Sequence, residues 1–271
     1  MSNREEGAAF MDYRHLAIER HGPVTLVRFD RPDAANALSR TLMSEIIDCA
    51  RGFHDDLETR AVVFTGNGRH FCAGADLAEP RNPGGSQLAA RRGRRIGAEL
   101  VRAVRGIEAV TIAAIEGAAL GGGACIATAC DFRVAADNAV CGYPEVNLGM
   151  NLQWQALPLV VHLIGPARAK RMVGLGGKHP ATELERWGFV DEVTPPNGAL
   201  EAAMKLAADC AARPPVAIQM IKESVNAISD ALDGAIMHMD SDQWALTASM
   251  DDFAEGVAAF RERRPPRFTG H

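Results

Sequence analysis

The segment Ile112–Asp131, IAAIEGAALGGGACIATACD, carries the residues best spaced for chemistry. A buried-strand run leads into Gly117, and three consecutive glycines, Gly121, Gly122 and Gly123, then open a helix of small residues. Glycines at a strand-to-helix turn let the backbone approach a ligand and aim free amides at it. The helix N-terminus adds partial positive charge, which suits an oxygen that becomes negative during a reaction. A second loop, His70–Leu77 (HFCAGADL), follows the run Ala61–Thr65 and again sets small residues and a glycine past a strand end. Two such loops can each present one N–H to the same oxygen, and each donor is worth about 3 kcal/mol in a transition state. Taken alone, the glycines fit close helix–strand packing equally well, and Asp76 fits a helix cap. The GxGxxG spacing is absent, and Gly174–Lys178 (GLGGK) lacks the spacing and the Ser/Thr of a P-loop.

These loops need strands and helices to hold them. His15–Glu19 and Val24–Phe29 read as strands flanking the turn His21-Gly22-Pro23. Ser39 caps a helix whose Leu42, Ile46, Ile47 and Ala50 share one face. Ala61–Thr65 (AVVFT) and Thr111–Ile115 (TIAAI) read as buried strands, separated by an Arg-rich helix around Gln87–Arg105. The small-residue helix runs from Gly122 to Cys130, followed by strands at Phe132–Ala135 and Ala139–Cys141. Beyond Trp154 the pattern is almost entirely helical, with breaks at Pro166, Pro180, Pro195-Pro196 and Pro214-Pro215. Strands alternating with helices, then helices alone, predict an α/β core with a helical C-terminal part. The C-terminal helices carry Val216, Ile218, Ile221, Val225 and Ile228, and are expected to cover the core or meet another subunit.

Bulk properties narrow the function. The 271 residues are 47% hydrophobic and 23% charged, an ordinary globular composition that excludes wholesale disorder. The net charge of −5 supplies no basic field for a nucleic acid or a membrane, and 6% aromatic residues offer no base-stacking platform. The six cysteines form no CxxC pair and no zinc-type cluster, so no metal is expected and the thiols read as reduced core residues. The opening residues MSNREEGAAFMDYRH lack a signal pattern, and no apolar run nears the roughly 20 residues of a membrane span. A soluble, cytoplasmic protein is expected.

RPDAANALS (Arg31–Ser39), FCAGADL, IEGAALGGGACIATACD and GYPEVNLGM (Gly142–Met150) together resemble the crotonase, or enoyl-CoA hydratase/isomerase, superfamily. VDEV (Val190–Val193), KESVN (Lys222–Asn226) and FAEGVAAFRERRPPRF (Phe253–Phe268) are similar too, so the likeness runs from Tyr13 to Phe268. It implies an α/β spiral of ββα units over residues 13–195 and a helical trimerisation region over 196–271, giving a homotrimer or a dimer of trimers. It implies an acyl-CoA thioester substrate, with coenzyme A arriving as part of it and no separate cofactor. The oxyanion amides fall on Ala75 and Gly122. Ala73 and the stretch Ala75, Asp76, Leu77 and Ala78 would line the pantetheine, with Ala34 and Ala35 near the CoA nucleotide. Asp33 stands where the family often has a basic residue; Arg81, Arg91, Arg92, Arg94 and Arg95 are candidates to compensate. Gly121, Pro144 and Trp154 would border the acyl group, and Phe260 and Arg263 match tail positions that reach CoA.

The carboxylates decide the reaction. A two-glutamate hydratase of this family has one Glu two residues after the last glycine of GGG and another after the proline of its xPE motif. Glu145 in Tyr143-Pro144-Glu145 keeps the second, whereas Cys125 stands at the first. A thiol with a reference pKa near ~8.5 is mostly protonated at neutral pH and cannot orient a water as a carboxylate does. Glu145 alone suffices to remove a proton and return it elsewhere while the amides hold an enolate. Isomerase-type proton transfer is therefore the preferred expectation, with enoyl-CoA hydration as the alternative. A CoA-thioester binding protein without activity is the reading of another class. Trp154 is expected to narrow the acyl pocket or to pack in the core.

Overall fold

A computed structural model describes residues 12–79 and 86–271. The chain opens with the hairpin β1 (Leu16–His21) and β2 (Val24–Phe29), paired antiparallel from Leu16 opposite Phe29 to His21 opposite Val24. Helix α1 (Arg40–Gly52) starts as its sequence dictates, the Ser39 hydroxyl accepting the Leu42 N–H at 3.2 Å. It buries Leu42, Met43, Ile46, Ile47 and Ala50. Strand β3 (Ala61–Gly66) follows, buried except at Gly66. The Arg-rich segment forms two helices, α2 (Gln87–Gly93) and α3 (Ile96–Arg105), rather than one.

The central part alternates between two sheets. β4 (Val110–Ile115) runs in the first and β5 (Ala118–Leu120) in the second, and α4 (Gly122–Ala129) comes next. β6 (Phe132–Ala136) then returns to the first sheet and β7 (Val140–Gly142) to the second. Feeding successive strands into two sheets with a helix between is the spiral of ββα units that the resemblance implies. The first sheet has the order β1-β2-β3-β4-β6 with all pairs after β1–β2 parallel. Parallel strands covered on both faces are continuously apolar, as AVVFT and TIAAI are.

The second half is less purely helical than its pattern suggests. After α5 (Leu157–Gly174), which bends at Gly165-Pro166, β8 (Lys178–Pro180) pairs with β7. Beyond α6 (Ala181–Trp187), β9 (Glu192–Thr194) extends the first sheet beside β6. Each is three residues long and owes its existence to its neighbour. Arg133, buried on β6, clamps this edge by donating to the Phe189 carbonyl at 2.5 Å and to the Asp191 carboxylate at 3.2 Å. Helix α7 (Ala199–Ala211) buries the stripe Ala199, Ala203, Ala207 and Ala211, and these methyl side chains let it lie close on β3, β4 and β6. Helices α8 (Pro215–Ser229), α9 (Gly234–Met237), α10 (Asp240–Thr247) and α11 (Asp251–Glu262) complete the chain. Among the described residues no helix is long and apolar enough to cross a membrane.

Candidate active site

The two glycine loops meet. The 71–76 loop is laced on one side to the 35–38 segment and on the other to β5. The Leu38 N–H donates to the Gly74 carbonyl at 2.8 Å and the Asp76 N–H to the Leu38 carbonyl at 3.1 Å. On the far side the Cys72 N–H donates to Ala118 at 2.9 Å, and Leu120 returns a bond to Cys72 at 3.0 Å. Gly74 (φ 102°) brings the two loops into contact: a methyl group there would lie 2.8 Å from the Leu120 oxygen and 3.7 Å from the Gly122 nitrogen. Gly122 is the first residue of α4, where amides have no intrahelical acceptor. Neither its N–H nor that of Ala75 has a backbone acceptor among the described residues. The Gly122 amide therefore lies near Gly74, the residue before Ala75, and neither amide that the resemblance names is committed to another backbone group among the described residues.

Glu145 reaches the same place from another element. Pro144 begins a 3-10 turn, Pro144–Leu148, and Gly149 ends it in the left-handed region. Helix α11 presses on this turn at Gly256, which has room for no side chain against Leu148. A methyl group added to Gly121 would sit 2.9 Å from Glu145 Oε1, so the carboxyl lies against the start of α4. Parts of the residue reach the surface, but Oε2 is shut off from solvent and has no hydrogen-bond partner. Burial pushes its pKa from 4.5 up to about 7, against a hydrogen bond from its own amide. A carboxyl whose pKa is raised toward neutrality, with one oxygen unpartnered and the other against the start of α4, is equipped to give and take a proton.

Cys125 is also here, 1% exposed on α4. Burial first, and the Glu145 charge second, drive its thiol well above the ordinary cysteine range. It is neutral at physiological pH. The other cysteines are free as well, and all but Cys210 are buried.

The expected CoA strip forms an exposed border. Ala73, Ala75, Leu77 and Ala78 are exposed and Asp76 partly so, while Ala34 and Ala35 lie beside them through the Ala73 N–H bond to Ala35 at 3.0 Å. Arg31 ties the two edges together with an ion pair to Asp76 at 2.9 Å. Of the arginines, Arg91 pairs with Asp242 at 3.6 Å and Arg94 lies 6.0 Å from the Trp244 ring, so both turn toward α10; Arg81 lies outside the described residues. Phe260, 63% exposed, and Arg263, in a left-handed cap, sit at the end of α11. His70 Nδ1 accepts the Ala118 N–H at 3.2 Å and braces a loop; His162 pairs with Asp233 at 2.9 Å.

Trp154 packs in the core, one of the two expectations for it. The residue is 9% exposed, and its indole lies in the space that side chains on Gly122 and Gly97 would need. The residue holding it was not legible. Asp240, at the N-terminus of α10, accepts the Gln155 N–H at 3.1 Å, and burial pushes its carboxyl up to about 6. In sequence Asp-Ser-Asp at a helix start reads only as a cap, and 85 residues separate the partners.

A parallel-sheet spiral of ββα units is the fold of the crotonase superfamily. The sequence matches the family "Enoyl-CoA hydratase/isomerase" over residues 19–271, and the chain belongs to it. Among its relatives is the "Crotonyl-CoA hydratase" of Syntrophomonas wolfei, 33% identical over 260 residues, covering 95% of this chain and 99% of that one. The "2,3-dehydroadipyl-CoA hydratase" of Escherichia coli is 31% identical over 255 residues, 94% and 98% of the two chains. The crystal structure of an enoyl-CoA hydratase from Mycobacterium avium subsp. paratuberculosis superposes with a TM-score of 0.85 at 28% identity, covering 95% of this chain and all of that one.

Proposed function

We propose that the protein converts a 2-enoyl-CoA thioester, with the Ala75 and Gly122 amides holding the thioester oxygen and Glu145 moving the proton. The observation that carries this reading is the Glu145 carboxyl itself: one oxygen shut off from solvent without a partner, the pKa raised to about 7, and the group set against the helix whose first amide is free. Of the reactions open to such a site, the names of the relatives speak for addition of water, and hydration replaces proton transfer as the first reading. One carboxyl can serve both ends of that addition. Its O–H donates to C2 while its second oxygen accepts a proton from the water whose oxygen bonds to C3; the carboxyl is regenerated and water is consumed. The amides carry the enolate charge meanwhile.

Cys125 favours a second reading. A neutral thiol where a hydratase would place its other carboxylate leaves the water without an orienting partner, which suits proton transfer between C2 and C4 through Glu145 alone. Coenzyme A enters as part of the substrate in both readings. The assembly we propose is a homotrimer or a dimer of trimers, supported by α8, whose Val216, Met220, Ile221, Val225 and Ile228 are all more than half exposed in the single chain. The test follows crotonyl-CoA and a 3-enoyl-CoA in parallel, with product identification. Hydration of the first supports the first reading and conversion of the second supports the other; tight binding with neither reaction would leave a CoA-thioester binding protein.

A further inference from the structure

The seat of Trp154 has a consequence for the substrate. The indole lies between α3 and α4: methyl groups on Gly97 and Gly122 would fall 2.1 Å and 2.3 Å from its ring atoms. A glycine inside a helix is unfavourable, and at Gly97 the space it vacates is filled by this ring. Gly122 carries one of the two free amides, so an acyl chain whose carbonyl sits on that amide must pass the same glycine. A chain that passes Gly122 on its Cβ side meets the ring.

The ring is held there against the preference of its own backbone. Trp154 and Gln155 both lie in the left-handed region, at φ 77° and 62°. Two side-chain-bearing residues in succession persist there only when their surroundings over-determine them. Here the surroundings are the C-terminal helices. The Asp240 carboxylate accepts the Gln155 N–H at 3.1 Å and also receives the Trp154 N–H. The Gln155 side chain donates to the Met237 carbonyl at 3.3 Å, and the Asn151 N–H reaches Thr247 Oγ1 at 3.1 Å. Asp240 is 9% exposed.

We propose that Trp154 limits this site to short acyl chains and that Asp240 is the positioning residue that holds its indole beside Gly122. The inference rests on the reading of the site as an enoyl-CoA site. It is tested by kcat/KM for crotonyl-CoA and dec-2-enoyl-CoA in wild type and in Trp154→Ala, Asp240→Ala and Asp240→Asn. Binding of butanoyl-CoA and decanoyl-CoA by calorimetry is measured on the same proteins. An apolar pocket rejects each misfit methylene by on the order of tenfold, so wild type should prefer the short chain by at least about a hundredfold. Trp154→Ala should bring the two substrates within about tenfold of each other, mainly through KM for the long chain. Asp240→Ala should move the ratio the same way, and Asp240→Asn, whose amide oxygen still accepts both N–H groups, should restore it. Trp154→Leu replaces Trp154→Ala if the latter does not fold. A wild-type enzyme indifferent to chain length, or a ratio unchanged in both Trp154→Ala and Asp240→Ala, overturns the inference; a change in Trp154→Ala alone overturns the role of Asp240. Calorimetry separates the two claims, because a chain-length preference in binding stands even if neither thioester is turned over.

Discussion

Replacing Glu145 by glutamine should make the protein more stable, and only above a certain pH. Burial raises the carboxyl from 4.5 to about 7, so the folded chain holds a proton that the unfolded chain has released. At pH below 4.5 both states are protonated and the group contributes no pH dependence. Between 4.5 and 7 unfolding releases a proton, and stability falls as pH rises. Above 7 the carboxylate is ionised in both states and the full penalty of burying it is present. At about 1.4 kcal/mol per pH unit, the rise amounts to about 3 kcal/mol. Glutamine carries no such penalty at any pH. Urea unfolding of wild type and Glu145→Gln at equal protein concentration, from pH 5 to pH 8, reads the difference directly. The variant should gain on wild type from pH 5 to about pH 7 and hold that gain unchanged to pH 8. Any hydrogen bond that the new amide lacks shifts the whole curve without changing its slope. A difference in stability that is flat across the window refutes the claim that Glu145 is held in a site hostile to its charge.

Other outcomes follow from the same geometry. Cys125→Ala should leave turnover within about threefold, whereas Cys125→Glu should raise hydration of crotonyl-CoA above the Ala variant, because two carboxyls then orient one water; loss of all activity in the Ala variant would make the thiol a working group. Gly121→Ala should lose about 1–3 kcal/mol of stability and most activity, since φ 52° strains any side chain there and its Cβ would sit 2.9 Å from Glu145 Oε1; thermal melts and initial rates check this. Light scattering at micromolar concentration should give a trimer or a multiple of it, and Ile221→Asp on the exposed face of α8 should reduce its mass; a wild-type monomer would contradict the assembly.

The parts of the site that lie within one strand–turn–helix unit were readable in the sequence. Gly121 to Gly123 and the FCAGADL loop announce themselves because backbone approach demands small residues, and the family likeness then placed Glu145. The short strands β8 and β9 were not readable: three residues such as Glu192–Thr194 have no period of their own and form only because β6 and Arg133 await them. The break at Arg94–Arg95 was overlooked although Gly93 precedes it, since the arginines on both sides are good helix formers and outweigh one glycine in the pattern. Asp240 was illegible because its role depends on a contact across the fold with a strained loop. The choice of reaction turned on Cys125, where the residue's chemistry points to proton transfer and the names of the relatives point to hydration.

The central claim is that Glu145 moves a proton at the carbon next to a thioester held by the Ala75 and Gly122 amides. Its most direct test is deuterium incorporation at C2 of a CoA thioester incubated in deuterated water with wild type or Glu145→Gln, with thioester affinity measured on both. The account predicts enzyme-dependent incorporation in wild type, a loss of at least about a hundredfold in the variant, and nearly equal affinity. Incorporation by Glu145→Gln within about threefold of wild type would contradict it.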